Sequence, residues 1–199
     1  MNTQISAMSQ KDIETFYPES REAWRQWLQE HHNSRQSVWL ICYKQKAKVP
    51  TVSWSDTVDE ALCFGWIDST RVSIDEERFR QLFSRRKPRS VWSKINKEKV
   101  ARLTKAGLMM PAGQRCIDIA KQNGSWNILD EVEELIIPDD LMQAFNTRPG
   151  SEAYFSGLSK SVRKMMLQWL ALAKRPETRQ NRIQEIAGRA GEGKKPKQF

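Results

Sequence analysis

Between positions 66 and 96 the chain sets acids, arginines and tryptophans at spacings from which a binding site can be built. WIDSTRVSI (66–74) and RFRQLFSRR (78–86) alternate and are joined by Asp75-Glu76-Glu77, the pattern of a β-hairpin with a polar loop. Side chains alternate across a strand, so Trp66, Asp68, Thr70, Val72 and Ile74 share one face of the first strand. Phe79, Gln81, Phe83 and Arg85 share one face of the second. If these apolar sets face the core together, Asp68 comes opposite Arg85 or diagonal to it, depending on the loop register. An acid beside an arginine at the edge of an aromatic core is most simply an ion pair, because an unpaired charge there costs about 3–5 kcal/mol. The alternative is a working carboxylate, an acid or base at the mouth of an aromatic pocket. The other hairpin face gathers Ser69, Arg71, Ser73, Arg78, Arg80, Ser84 and Arg86. Those donors suit a phosphate or carboxylate, and they equally suit an ordinary solvated sheet face.

RRKPRSVWSKINKEK (85–99) follows. Ser93 is placed to cap the next helix, and a helix N-terminus flanked by Lys94 and Lys97 is a reasonable anion site. Asn96 falls between Val100 and Leu103 on the apolar arc of that helix, where it supports the cap or a loop, or reaches a ligand. The candidate ligand-binding set is therefore Trp66, Asp68, Arg71, Arg86, Trp92, Ser93 and Asn96. In this reading the arginines and the helix N-terminus take an anion, the tryptophans form walls, and Asp68 orients an arginine. No Ser/His/Asp, Cys/His or Gly-rich phosphate pattern accompanies them, so the chain reads as a binding domain before an enzyme. The histidines are the adjacent pair His31–His32, and Cys42, Cys63 and Cys116 lie far apart, so neither a metal site nor a cofactor is expected.

The elements that must position these residues are legible in the periodicity. A helix is expected over 20–32, with Trp24, Trp27 and Leu28 inward, and a strand over 37–45. An amphipathic helix from Ser53 places Trp54, Val58, Ala61, Leu62 and Gly65 on one face. Asp56, Asp59 and Glu60 fall opposite, with Cys63, as a solvated back. After the hairpin the pattern turns helical. One helix runs from Ser93 towards Gly107, a second lies between Pro111 and Gly124, a third starts at Pro138, a fourth follows Ser159, and the last opens at Pro176. The fold class is α+β: a small antiparallel sheet with N-terminal helices, then a helical C-terminal half. A single domain over 1–190 is expected, helical from about 93, with a disordered basic tail at 191–199.

Composition sets the outer bounds. With 199 residues, 39% hydrophobic and 29% charged, the chain is of ordinary globular type. No run approaches the ~18 apolar residues of a membrane span. MNTQISAMSQKD has no signal-type apolar stretch, so a cytoplasmic location is expected. The net charge of +9 is uneven: residues 69–125 hold 14 basic and 5 acidic groups, 126–158 hold 1 and 7, and 159–199 hold 11 and 3. Such a field favours anionic partners, or pairing between blocks. On the last helix Arg175, Arg179, Arg182 and Arg189 border the core-facing side, and pairing with the acids at 130–140 is the favoured use. A nucleic-acid-binding module using the basic hairpin face is the alternative to a small anion, without a recognisable motif behind it.

"EALCFGWIDS" (60–69), "KPRSVWSKINK" (87–97), "AGLMMPAG" (106–113) and "AKRPETRQNRI" (173–183) together resemble the YdeI/OmpD-associated, bacteriocin-protection family, over most of the chain from about 37 to 190. The resemblance implies a link to bacteriocin or antimicrobial-peptide resistance and to an outer-membrane porin, and little chemistry. With no export signal expected at the start, the porin association is not expected either. In the family's pattern proline commonly stands where this chain has Arg85, which would make Arg86 the family arginine and an Asp68–Arg85 pair peculiar to this chain.

Overall fold

Four strands form one sheet in the order β1-β2-β4-β3. They are β1 (Thr15–Phe16), β2 (Ser37–Tyr43), β3 (Trp66–Ser73) and β4 (Arg78–Arg85). This computed structural model describes residues 13–199. The opening MNTQISAMSQKD, on which the expectation of no export signal rests, lies outside the described residues. β1 pairs parallel with β2, and both β2 and β3 pair antiparallel with β4. With its helical C-terminal half the chain is of the α+β class. The described residues fall into two compact units: those up to Ser90 with Ile95–Asn123, and Val91–Lys94 with Gly124–Phe199.

In the first unit the sheet is covered on one face. α1 (Arg21–His31) starts at Ser20, whose side chain accepts the Ala23 N–H, and α2 (Trp54–Cys63) starts at Ser53, which accepts from Asp56. Both serines satisfy donors that a helix start leaves free. α1 buries Trp24, Trp27 and Leu28 on the sheet, with Trp24 5.4 Å from Phe83 and Trp27 edge-on to Trp66 at 5.7 Å. Val38, Leu40 and Cys42 of β2 stand across from Phe83, Gln81 and Phe79 of β4, and all six are buried. α3 (Lys94–Lys105) ends before Gly107, and α4 (Pro111–Gln122) begins with proline at its first position.

The second unit is all helix: α5 (Asp130–Glu133), α6 (Asp139–Asn146), α7 (Ser151–Gly157), α8 (Lys160–Ala171) and α9 (Pro176–Gly191). Leu141, Phe145, Phe155, Met166, Leu167, Leu170, Ile183 and Ile186 lie at its core. The arginine stripe of α9 finds its partners there. Arg179 grips Asp140 through Nε at 2.6 Å and Nη2 at 2.9 Å, and Arg182 lies over the Trp169 ring at 4.7 Å. In the segment where the sequence reading expects a disordered tail, Gly191 closes α9 and Phe199 packs edge-on against Trp169 at 5.8 Å.

α5 closes in an uncommon way. Ile136 N–H donates to Glu131 O and Leu135 N–H to Val132 O, the two crossed bonds of a Schellman ending. That ending needs a left-handed residue, normally glycine, and here Leu135 fills it at φ 57°. The conformation costs on the order of 1–2 kcal/mol for a residue with a Cβ. Packing of Leu135 against the helical core offsets the strain.

Candidate functional site

The hairpin carries an irregularity that decides which side chains meet. Trp66, Ile67 and Asp68 pair with Arg85, Ser84 and Phe83, but the next rung joins Arg71 to Gln81. β3 thus spends one residue more than β4, a β-bulge, and the alternation of faces is inverted beyond it. Arg71 and Ser73 therefore lie on the covered face with Gln81 and Phe79, and the Arg71 guanidinium sits 3.6 Å over the Phe79 ring. Val72 and Ile74, expected inward, are 37% and 43% exposed. This corrects the face assignment drawn from strict alternation, which holds only up to Asp68.

Asp68 has another partner than the one expected. Its carboxylate accepts the Trp54 indole N–H at 3.1 Å instead of pairing with Arg85 across the strands. Trp54, expected on the inner face of α2, is exposed and turned to that carboxylate.

Arg85 stands directly across from Trp66. Among the described residues its Nε and Nη2 are buried without a hydrogen-bond partner, and so is the indole nitrogen of Trp66. Nε–H and Nη2–H form one edge of the guanidinium, the edge that receives a carboxylate or phosphate through two parallel bonds. A buried donor without an acceptor costs about 1–3 kcal/mol, so this edge and the indole N–H of its strand partner both favour an incoming acceptor. Trp27, packed against Trp66, also contacts the His31 ring at 4.9 Å, and the Arg85 backbone N–H donates to Gln36 O.

Arg86 begins the exit from the sheet, its N–H donating to Gly65 O at 2.9 Å. It is only 9% exposed, and burial pushes its guanidinium pKa down to about 10, against the pull of Cys116 and Asp68. Gly65 also lets α4 come close on its other side. Its φ is 74°, and a Cβ there would stand 2.6 Å from Cys116 Sγ and 3.0 Å from Ala112 O. Burial pushes the Cys116 thiol up, while Arg86 and Arg115 pull it down.

The acids of α2 are the largest departure from the sequence reading. Asp59 and Glu60, expected on a solvated back, are both 2% exposed. Asp59 meets Lys99 at 2.7 Å and Arg102 at 2.5 Å, and Glu60 meets Arg21 and Arg25 at 2.6 Å each. α2 runs among other elements, so its polar side is buried too, and cations from α1 and α3 neutralise it. Burial raises the Asp59 pKa, but the hydrogen bonds and charges of Lys99 and Arg102 outweigh it and hold the carboxyl below its ordinary value.

Of the expected site residues, Trp66, Asp68 and Arg86 come together at the Gly65 end of the hairpin. Arg71 stands further along it on Phe79, and Asn96 is half-buried on α3. Trp92 and Ser93 belong to the second unit, where Trp92 is buried with its ring 4.9 Å from that of Trp126. Arg85 and Cys116 were not in the expected set. Arg85 follows from the hairpin register once Trp66 is set opposite it, whereas no sequence pattern points to Cys116.

A sheet covered on one face by N-terminal helices, a basic hairpin end and a separate helical unit describe a two-part α+β protein. Residues 16–116 match a family model described as a domain of unknown function (DUF8412), and residues 134–193 match one described as Bacteriocin-protection, YdeI or OmpD-Associated. The first model spans just over half of the chain, which belongs to that family, and the C-terminal region is of the YdeI/OmpD-associated type. Of the four sequence stretches that carry the resemblance, only AKRPETRQNRI lies inside the YdeI/OmpD-associated match; the other three fall within 16–116. Neither the curated proteins nor the solved structures give a significant match.

Proposed function

We propose that this YdeI/OmpD-associated-type protein works as a binding domain for an anionic small molecule, received in the first unit at the Trp66–Arg85 rung. The observation that carries the reading is the set of three buried donors on this rung without acceptors among the described residues, Arg85 Nε and Nη2 and Trp66 Nε1. Arg86, buried one residue on, adds positive charge, and Asp68 tempers it. Half-burial of Arg85 leaves the side chain room to swing and admit the ligand. Trp39 and Phe79 lie buried under Arg80 and Arg71, which leaves bases little ring surface to stack on and favours a small anion over a nucleic acid. No described helix is long and apolar enough to cross a membrane. The free thiols of Cys42 and Cys63, both buried, suit the reducing cytoplasm in which we place the protein. A contribution to bacteriocin resistance would then run through the bound ligand.

The test is thermal unfolding with formate, benzoate, inorganic phosphate and nucleoside monophosphates. At least one should raise the Tm saturably by a few degrees, as a ligand of the native state must. Arg85→Gln should abolish that rise and Arg71→Ala should leave it. Persistence of the rise in Arg85→Gln, or no rise with any of the anions, refutes the assignment.

A further inference from the structure

We infer that the second unit carries a docking pocket for an apolar side chain on a cationic segment of a partner protein or peptide. A cavity of about 250 Å³ opens among α5, α8 and α9, lined by Ile128, Val132, Ile136, Pro138, Leu167 and Ala171, with Glu131 and Arg179 completing the wall. Three observations meet there. First, the lining includes apolar side chains that the core does not absorb: Ile136 is 51% exposed and Ile128 41%. Second, Ile136 is held out by the strained turn before it. Leu135 takes the left-handed glycine position and packs inward, so the next residue projects beside the pocket. In an ordinary Schellman ending the residue at the Ile136 position folds back on an apolar residue of the helix. Here that helix position is Glu131, which offers Ile136 no apolar side chain to fold onto.

Third, the charge at the mouth is negative. Arg179 is neutralised by its two bonds to Asp140. Glu131 in the wall and Asp139 beside the lining Pro138 are both exposed, and among the described residues neither enters an ion pair. Five of the eight lining residues come from 126–158, with seven acids and one base, and three from 159–199, with eleven bases and three acids, so the negative sign rests on Glu131 and Asp139 themselves. An apolar pocket with uncompensated acids at its rim selects an apolar side chain with lysine or arginine near it, and repels an acidic one.

The experiment uses the full chain and three synthetic helical peptides: leucine with lysine, leucine with glutamate, and serine with lysine. Methyl NMR follows Ile128 and Ile136, and calorimetry gives the affinities. The leucine–lysine peptide should bind, shift both methyl signals, and bind at least tenfold better than either control. Ile136→Ser, a change at an exposed position, should weaken it about tenfold, and Glu131→Gln with Asp139→Asn should weaken it several-fold while reducing the salt dependence. Equal binding of the serine–lysine or leucine–glutamate peptide overturns the inference. So does unshifted Ile136, unchanged affinity in Ile136→Ser, or no binding of the leucine–lysine peptide at all.

Discussion

Asp59 and Arg102 share a short ion pair and differ in what its loss would expose. Asp59 is buried with Lys99 nearly so, whereas more than half of the Arg102 side chain faces solvent. Removing the acid leaves a lysine without its buried counter-charge, while removing Arg102 leaves Asp59 still held by Lys99. Asp59→Ala should therefore cost about 3 kcal/mol or more in urea unfolding, and Arg102→Ala less than about 1 kcal/mol. Equal midpoints for the two variants would show that the buried position of the acid carries no special weight. At this scale the sequence is informative about residue types and poor about their surroundings. A single-helix wheel sorts Asp59 and Glu60 to the outside because it knows only its own helix. Their burial is decided by Arg21, Arg25, Lys99 and Arg102 arriving from elsewhere in the chain.

Among elements, α4 seats closely on the end of α2. A Cβ on Gly113 would stand 2.3 Å from Cys63 O and 2.7 Å from Leu62 O, both backbone atoms that cannot turn aside. Met110 N–H donates to the same Cys63 carbonyl at 3.1 Å, so the contact is also a hydrogen-bonded one. In α9, by contrast, a Cβ on Gly188 would meet nothing nearer than Arg148 Nε at 4.0 Å. The same substitution should thus have opposite signs in two helices. Gly113→Ala forces the helices apart and should cost about 2–3 kcal/mol, whereas Gly188→Ala removes a poor helix former and should add roughly 0.5–1 kcal/mol. Chemical denaturation of the two variants decides it, and a stabilised Gly113→Ala would mean that α4 does not seat on Cys63. Most elements were readable beforehand because caps and breakers mark them locally: Ser20, Ser53, Pro111, Ser159 and Pro176 each stand where a helix begins. The short α5 and α7, too brief for periodicity, and the two-residue β1 were not. The bulge after Asp68 was also beyond reach, since one extra residue in a strand has no composition of its own, yet it alone sends Arg71 to Phe79 and Val72 to solvent. The candidate site was legible in Trp66, Asp68 and Arg86, and became specific only when register set Arg85 against Trp66.

Across the whole molecule, acid-sensitive pairs are present in both units. Asp59 in the first unit and Glu133 and Asp140 in the second all have carboxyls held below their ordinary values. For Asp59 and Glu133 burial works the other way and is outweighed by bonds from Lys99 and Arg102, and from Lys164; for Asp140 the bonds from Arg179 lead. A carboxyl whose folded pKa is depressed contributes stability that is present above its unfolded value and lost as pH falls through the folded one. The window therefore opens near the ordinary values of 4.5 for Glu and 3.8 for Asp and extends downward. Amide exchange can follow each unit separately, because the chain divides into two compact bodies. Protection should fall in α2 and in α6 alike between about pH 4.5 and about pH 3. Asp59→Asn should lower protection in α2 at neutral pH, and its gap to the wild type should narrow in acid, when the native carboxylate is also lost. Asp140→Asn should do the same for α6. If either gap stays constant from about pH 6 to about pH 3, that carboxylate is not the group whose protonation loosens its unit. If only one unit responds to acid, the ion pairs of the other add little to its stability, which then rests on apolar packing.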